Sequence, residues 1–321
     1  MSRPLLEIEN LQTFFLLPSG AKVRAVDKVN LYLNRGEALG LVGESGCGKS
    51  TLGFSILRLV PDPGKIVGGK ILLDGENLLE KSENEMREIR GTRIAMIFQD
   101  PLTSLNPVMR VDKHLIETIL SHQEISEEEA LDRTRKILET LAISEERLTD
   151  YPHQFSGGMK QRIMIALSLV LNPDLVVADE PTTALDVIVQ AHILDLLRDL
   201  KDSLDLSFIL ITHDLSVVAE LTDRIAVMYA GKLAEVAEAT TLYGEPLHPY
   251  TQGLLASIPN IQATSLDLQS IPGMPPDLIN PPTGCRFHPR CPRAMEVCSQ
   301  KEPEPFQVNS NHTVHCWLYT D

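Results

Sequence analysis

GESGCGKST occupies residues 43–51, between an apolar run at residues 37–42 and a segment with helical spacing at residues 50–60. This order predicts a strand, a glycine-rich turn and a helix. Glycines let the backbone curl so that successive N–H groups point at one phosphate, and the helix adds the positive end of its dipole. Because the glycines, lysine and serine follow the spacing G-x-x-x-x-G-K-[ST], the segment predicts a phosphate-binding loop in an α/β fold.

The side chains of this loop suit a nucleoside triphosphate with its magnesium ion. We expect Lys49 to contact the β- and γ-phosphates and the Ser50 hydroxyl to ligate Mg²⁺. Cys47 stands at a variable position, where we interpret it as a small filler rather than a redox centre. The predicted ATP-binding residues of the loop are Gly43, Ser45, Gly46, Cys47, Gly48, Lys49, Ser50 and Thr51.

A second acidic motif follows another apolar run. The segment LVVADEPTTALD, residues 175–186, ends its strand-like part in the adjacent carboxylates of Asp179 and Glu180. We expect Asp179 to hold Mg²⁺ through water, and Glu180 to orient the attacking water or accept its proton. An exposed acidic turn is the alternative, and the apolar strand before the pair argues against it.

Two polar residues at other strand ends are candidates for the same chemistry. Gln99 follows the apolar run 94–98, and its amide could touch the metal or the water. His213 follows the run 208–212, which would place its imidazole where open α/β folds bind ligands, within reach of the γ-phosphate. A structural role at a strand end is the alternative for both residues.

Chain composition limits the class of protein. The 321 residues carry a net charge of −15 and a pI near 5.1, so the chain would repel a phosphate backbone and we expect no nucleic-acid partner. The first ten residues lack the pattern of a secretion signal, which predicts a cytoplasmic protein. The longest apolar stretch, residues 163–171, is about half the ~20 residues that a membrane-spanning helix needs. We therefore expect that this chain does not itself form a pore through a membrane.

Changes in pattern along the chain predict its organisation. Residues 3–42 indicate a β-rich N-terminal subdomain. The apolar runs 175–178, 208–212 and 225–229, separated by helix-like segments, indicate a parallel sheet with crossovers. Polar helical spacing at residues 112–149 indicates an inserted helical subdomain.

A shift in composition near residue 258 predicts a separate tail. Ten of the 21 prolines and four of the five cysteines lie beyond this point. We therefore predict an ATPase domain over residues 1–258, with its helical subdomain at about residues 100–170, and a small cysteine-containing extension over residues 259–321.

FSGGMKQR, residues 155–162, resembles the signature sequence that distinguishes ATP-binding-cassette (ABC) proteins from other phosphate-loop hydrolases. The resemblance implies a RecA-like parallel-sheet core and a head-to-tail dimer with two ATP molecules at the interface. In that dimer the turn of Ser156, Gly157 and Gly158 closes over the nucleotide of the opposite subunit, where its hydroxyl and N–H groups form an anion cradle.

Three further positions follow from the same resemblance. Asp186 matches the loop that crosses the dimer interface, and Phe14 matches the aromatic residue that stacks on adenine. For Phe14 and its neighbour Phe15, packing in a core strand is an equal alternative. Met159 departs from the glutamine that the wider family often carries, in a way that looks typical of peptide-transporter subunits.

The C-terminal part narrows the resemblance. LHPYTQGLLASIP at residues 247–259 and IPGMPPDLINPPTGCRFHPRCP at residues 271–292 look like the ATPases of dipeptide and oligopeptide importers, a group that includes nickel-uptake systems. The resemblance implies an ATPase at the cytoplasmic face of the membrane that drives peptide uptake. It also implies a second, different ATPase subunit, two membrane permease subunits and an external binding protein. Uptake of nickel or another small solute is the alternative.

The four tail cysteines call for an explanation of their own. Cys285, Cys291, Cys298 and Cys316 are separated by five, six and seventeen residues, and a reducing cytoplasm disfavours disulfides. These gaps suit a [4Fe–4S] cluster, as some relatives in the peptide-importer group carry, better than the tight pairs of structural zinc. Zinc and four free thiols are the alternatives, and a zinc site could also draw on the neighbouring histidines His288, His312 and His315.

A soluble ATPase of DNA repair or chromosome organisation is the rival from another class. Such chains usually carry a long coiled coil or a DNA-binding insertion, and the segment between Gln99 and Ser156 is long enough only for a compact helical subdomain. A translation-associated protein would usually carry two cassettes, and this chain has one.

Overall fold

The computed structural model describes residues 3–100, 104–183, 185–257 and 271–320. The chain forms two compact units. The first consists of Met1–Glu80 and Leu210–Asp321, and the second consists of Lys81–Ile209. The predicted boundary between residues 258 and 259 lies outside the described residues. The described part of the predicted extension belongs to the first unit, together with the N-terminal residues.

The first unit contains two sheets. Its strands are β1 (Leu6–Leu16), β2 (Lys22–Leu33), β3 (Ala38–Val42), β4 (Gly64–Leu73) and β5 (Glu76–Asn77), and, after the second unit, β9 (Arg224–Tyr229), β10 (Lys232–Glu238), β11 (Phe306–Asn309) and β12 (His312–Val314). Its helices are α1 (Lys49–Ile56), α7 (Leu215–Leu221), α8 (Ala239–Gly244), α9 (Pro249–Ala256) and α10 (Glu296–Gln300).

The second unit contains strands β6 (Ile94–Ile97) and β7 (Leu175–Asp179). Its helices are α2 (Glu83–Ile89), α3 (Val111–Leu120), α4 (Glu127–Thr140), α5 (Gly157–Leu169) and α6 (Val187–Leu204). Strand β8 (Ser207–Thr212) contains the point at which the chain returns from the second unit to the first.

The N-terminal sheet is antiparallel, in the order β2-β1-β4-β5. Along β2, Val29, Leu31 and Leu33 are buried while the residues between them are exposed. This alternation places one face of the strand against the core and the other in solvent. The predicted β-rich start is confirmed.

The other sheet of the first unit combines parallel and antiparallel pairing. Strand β3 pairs with β9 in parallel, and every residue of both strands is buried, as expected for strands covered on two faces. Strands β9, β10 and β12 then pair in antiparallel fashion, and β11 closes the edge against β12. The hairpin of the C-terminal extension therefore continues the sheet that carries the phosphate loop.

The second unit joins a parallel strand pair to the predicted helical insertion. Strands β6 and β7 are parallel, with Ile94 opposite Leu175. Helix α4 begins at a capping box, in which Ser126 accepts from the Glu129 N–H, and it buries Ala130, Thr134 and Leu138 at four-residue intervals. The period of the sequence therefore predicted this helix correctly. No helix in the described ranges is long and apolar enough to cross a bilayer.

Candidate functional site

The predicted phosphate loop links β3 to α1 and depends on glycine at two close approaches. Gly43 has a φ of 151° and Gly48 a φ of 108°, backbone conformations that residues with side chains rarely adopt. A Cβ added to Gly43 would lie 2.1 Å from the Met228 carbonyl oxygen, and one added to Gly48 would lie 1.9 Å from that of Ala25. Any larger residue at either position would force the loop to move.

The N-terminus of α1 faces this loop with its backbone donors. The N-cap residue is Gly48, which has no side chain to accept from the first-turn N–H groups of Lys49, Ser50 and Thr51. The Lys49 ammonium is buried and donates to the Gly43 and Glu44 carbonyl oxygens at 2.8 and 3.1 Å. Positive charge and the backbone donors of a helix N-terminus are what an anion site requires.

Cys47 and the exposed loop residues complete the segment. The Cys47 side chain is buried, and burial raises the pKa of its thiol, so the thiol stays neutral and fits the role of an apolar filler. Its carbonyl oxygen accepts from the Gly231 N–H at 2.8 Å, which fixes the loop to the turn after β9. Ser45 and Gly46 lie on the exposed side of the loop.

The first unit also holds Phe14 and His213. Phe14 is half-buried in β1 opposite Lys65, while the neighbouring Phe15 packs against Gly64. His213 is exposed directly after β8 and precedes Asp214, which caps α7. The roles of Phe14 in stacking and of His213 in phosphate contact remain predictions.

The second unit brings together two of the predicted catalytic side chains. Asp179 ends β7 with only 3% of its surface exposed, and Glu180 follows it with a φ of 46°. The Gln99 amide, after β6, donates to the Glu180 carboxylate at 3.0 Å, and the Thr183 hydroxyl donates to the same oxygen at 2.9 Å. The parallel pairing of β6 with β7 explains why residues 81 positions apart meet. Thr183 was missed because a threonine in a turn carries no signal of its own.

The serine–glycine turn begins α5 and is accessible to solvent. Ser156 is the N-cap, and its hydroxyl accepts from the Met159 N–H at 3.4 Å. Gly158 packs so closely against α6 that an added Cβ would lie 2.5 Å from Cγ1 of Val189. Ser156 and Gly157 are exposed, so a partner could reach the hydroxyl and the helix-terminal N–H groups.

Asp186 lies beside an exposed apolar pair. It caps α6 by accepting from the Val189 N–H at 3.0 Å. The next two residues, Val187 and Ile188, are 82% and 70% exposed, which is unusual for large aliphatic side chains placed side by side. This end of α6 therefore has the character of a surface that meets another protein.

The four tail cysteines all lie in the first unit, and the other three are within electrostatic reach of Cys285. Burial raises the pKa of the Cys285 thiol to about 12, and the nearby Cys298, Cys316 and Cys291 raise it further. The Cys285 N–H donates to the Cys298 carbonyl oxygen at 2.8 Å. As the side chains are placed, no group of three or more His, Cys, Asp or Glu residues within the described ranges could hold a metal ion.

Three residues around the phosphate loop were missed by the sequence. Glu44 occupies a variable position of the loop motif, and its carboxylate pairs with Arg290 of the extension. Its backbone N–H donates to the Tyr250 hydroxyl at 2.9 Å. These contacts join residues more than 200 positions apart, so no local spacing could have indicated them.

Two family models match the chain. Residues 26–183 match the family described as ABC transporter, and residues 234–298 match the oligopeptide/dipeptide transporter C-terminal region. Among curated proteins, the chain is 48% identical to the oligopeptide transport ATP-binding protein OppD of Bacillus subtilis, over 98% of this chain and 88% of the relative. It is 47% identical to the dipeptide transport ATP-binding protein DppD of the same organism, over 98% and 94% of the two chains.

Solved structures agree on the fold. CbiO1 from Clostridium perfringens, part of the ABC transporter complex cbiONQ, is 27% identical with a TM-score of 0.65, over 76% of this chain and 92% of that one. The dimeric bacterial ABC transporter cassette MJ0796 is 28% identical with a TM-score of 0.65, over 73% and 98%. The predicted ABC-type α/β fold is confirmed, and the chain belongs to the ATP-binding subunits of ABC transporters, in the branch that carries the oligopeptide/dipeptide transporter C-terminal region.

Proposed function

We propose that this chain hydrolyses ATP to drive the uptake of dipeptides or oligopeptides through an ABC importer. The relatives of nearly equal length that match it at 47–48% identity are named as oligopeptide and dipeptide transport ATP-binding proteins. The observation that carries the catalytic part of the proposal is the Gln99–Glu180 hydrogen bond after a buried parallel strand pair. It joins a carboxylate, which can accept a proton from water, to an amide that can fix the orientation of that carboxylate.

Each predicted side chain receives a role in this proposal. Lys49 and the α1 N-terminus bind the phosphates, and Ser50, Gln99 and Asp179 hold the magnesium ion that ATP hydrolysis requires. Glu180 orients the attacking water or accepts its proton, and His213 contacts the γ-phosphate. Phe14 stacks on the adenine. The remaining ATP contacts come from the backbone of the loop, at Gly43, Ser45, Gly46, Cys47, Gly48 and Thr51.

The proposed assembly is a dimer of ATPase subunits. The exposed turn of Ser156, Gly157 and Gly158 would complete the nucleotide site of a partner subunit, and the apolar surface beside Asp186 would lie in the interface. We propose that the partner is a second, different ATPase subunit. Two membrane permease subunits and an external peptide-binding protein would complete the importer, with this chain peripheral to the cytoplasmic face of the membrane.

Glu180→Gln tests the catalytic assignment. The amide keeps the size of the side chain and cannot accept a proton, so we expect turnover to fall by about 10²–10⁴-fold while ATP binding persists. Turnover is measured by phosphate release and binding by titration with a fluorescent ATP analogue. Glu139→Gln, an exposed glutamate in α4, is the matched control. Normal turnover in Glu180→Gln would remove Glu180 from its role.

For the extension we propose a [4Fe–4S] cluster held by Cys285, Cys291, Cys298 and Cys316. The proposal rests on the four thiols lying near enough to interact electrostatically and on the spacing of the cysteines. A bound cluster would supply a structural cross-link and an electron-accepting centre. Burial raises the pKa of the Cys285, Cys291 and Cys316 thiols, and metal ligation would stabilise their deprotonated forms.

The visible absorption spectrum of anaerobically purified protein, with iron, sulfide and zinc analysis, tests this proposal. We expect the broad visible absorption of a thiolate-ligated iron–sulfur cluster, at roughly 400 nm, and about four irons per chain. A colourless protein containing one zinc per chain, or no metal, would contradict it. Cys298→Ser should lower the iron content, whereas Cys47→Ser should not.

The transported solute is tested in cells. We expect deletion of this chain to abolish the uptake of radiolabelled dipeptides and tripeptides, and restoration of the intact chain to recover it. Uptake of ⁶³Ni²⁺ is measured in the same strains. Loss of nickel uptake with unchanged peptide uptake would support the nickel importer instead.

A further inference from the structure

The carboxylate of Glu44 forms an ion pair with a residue outside the phosphate loop. Arg290 donates to both of its oxygens, from Nη1 to Oε2 at 2.6 Å and from Nη2 to Oε1 at 3.0 Å. The backbone N–H of Glu44 donates to the Tyr250 hydroxyl at 2.9 Å. Arg290 belongs to the C-terminal extension and Tyr250 to α9. Both contacts with Glu44 therefore come from parts of the chain that follow the ATPase motifs.

Arg290 and Tyr250 are themselves held in place by their neighbours. Arg290 is 8% exposed, and its Nε donates to the Pro272 carbonyl oxygen at 2.9 Å while Nη1 also approaches the Tyr229 hydroxyl at 3.3 Å. Tyr250 is fully buried, and its ring centroid lies 4.5 Å from that of Tyr229 and 5.3 Å from that of Phe287. A bidentate guanidinium that also contacts a backbone carbonyl and a tyrosine hydroxyl is a fixed ion-pair partner rather than a mobile surface charge.

The ion pair between Arg290 and Glu44 matters because Glu44 lies within the phosphate loop. Its carboxylate is the acidic group of the segment that is proposed to bind a triphosphate, and an uncompensated carboxylate there would repel the phosphates. Pairing with Arg290 cancels that charge in a partly buried setting, where screening by solvent is weak. The Lys49 ammonium then acts on the phosphates without competition from a neighbouring carboxylate.

We propose that Arg290 and Tyr250 are positioning residues for nucleotide binding, through which the C-terminal extension and α9 set the charge and shape of the phosphate loop at Glu44. The extension is thus a structural part of the ATP site as well as a place for cysteines. The inference rests on the proposed function, because it takes residues 43–51 as the ATP-binding loop.

A double-mutant cycle on the full-length chain tests the inference. Arg290→Met keeps the side-chain length and removes the charge, and we expect it to weaken binding of a fluorescent ATP analogue about tenfold. Glu44→Gln alone should change affinity less than threefold. In the double variant the repelling carboxylate is gone, so we expect Glu44→Gln to restore most of the affinity lost in Arg290→Met.

Two further variants keep the test decisive. Tyr250→Phe removes only the hydroxyl that accepts from Glu44, and we expect it to weaken ATP binding about threefold without the charge effect. Arg293→Met, an exposed arginine of the same extension, is the matched control and should leave affinity unchanged. If Arg290→Met does not fold, Arg290→Lys, which keeps the charge and loses the bidentate geometry, should show an intermediate loss of affinity.

The outcomes separate this inference from the proposed function. Unchanged ATP affinity in a folded Arg290→Met or Arg290→Lys variant would overturn the inference, as would effects of Arg290→Met and Glu44→Gln that simply add. Failure of the unaltered chain to bind the ATP analogue at all would instead overturn the assignment of residues 43–51. If Arg290 had only a structural role, Arg290→Met would lower the melting temperature, and Glu44→Gln would not restore the lost ATP affinity.

Discussion

At the scale of single residues, Glu180 is held in a conformation that its neighbours must stabilise. Its φ of 46° is uncommon for a residue with a side chain and costs on the order of 1–3 kcal/mol. The hydrogen bonds from Gln99 and Thr183 to its carboxylate hold the side chain in place. The sequence assigned Gln99 and Glu180 separately to the metal and the attacking water, whereas their hydrogen bond and the backbone strain depend on packing that no motif encodes.

Gln99→Ala removes the amide donor from Glu180. A hydrogen bond to a charged group contributes about 1.5 kcal/mol or more, so we expect turnover to fall about tenfold or more while the fold is retained. Phosphate release measures the effect, and Gln307→Ala, at an exposed position in β11, serves as the control. Equal rates for the two variants would show that Gln99 has no part in positioning Glu180.

His248 predicts a dependence of stability on pH. Burial lowers the pKa of its imidazole to about 3, and Nδ1 accepts from the Tyr250 N–H at 3.0 Å as the cap of α9. Because the folded-state pKa lies below the ordinary value of 6.5, the stabilisation is complete above pH 6.5 and is lost as the pH falls from there towards 3.

His248→Asn keeps a capping side chain and does not titrate. Between pH 6 and pH 4.5 we expect the free energy of unfolding to fall more steeply in the unaltered chain than in the variant, by about 1.4 kcal/mol per pH unit for one proton. Chemical denaturation at each pH measures both slopes. Parallel slopes would mean that His248 is not held neutral by the fold.

At the scale of secondary-structure elements, periodicity predicted what is local and missed what is long-range. The helical spacing at residues 112–149 and the apolar runs that became β7, β8 and β9 were identified correctly. The hairpin β11–β12 was not, because β11 is exposed along its length and β12 has only three residues. Its pairing with β10 depends on residues about 80 positions away, such as Glu235 opposite Val314.

The packing of α5 against α6 depends on Gly158. A Cβ at this position would lie 2.5 Å from Cγ1 of Val189, and a β-branched side chain in a helix has little freedom to move away. We expect Gly158→Ala to lower the free energy of unfolding by about 1–3 kcal/mol, measured by urea denaturation. Gly157→Ala meets its nearest neighbour at 3.5 Å and should be nearly neutral for stability. A neutral Gly158→Ala would contradict the close packing.

At the scale of the whole molecule, the boundary that composition predicts for the C-terminal extension differs from the division of the structure into compact units. Sequence composition separates residues 259–321 from the ATPase domain, yet the described part of the extension lies in the same compact unit as Met1–Glu80. Two ion pairs join them, a buried one between Arg286 and Asp27 and a partly buried one between Arg290 and Glu44. Such pairs bring together charges that are far apart in sequence, which is why composition alone could not reveal them.

The central claim is that ATP hydrolysis by this chain powers peptide uptake. The most direct measurement isolates the complex through a tag on this chain, reconstitutes it in liposomes with its binding protein, and follows the entry of a radiolabelled dipeptide. We predict uptake that requires Mg·ATP on the side of this chain and disappears with Glu180→Gln. Uptake that proceeds without ATP, or continues unchanged with Glu180→Gln, would contradict the claim.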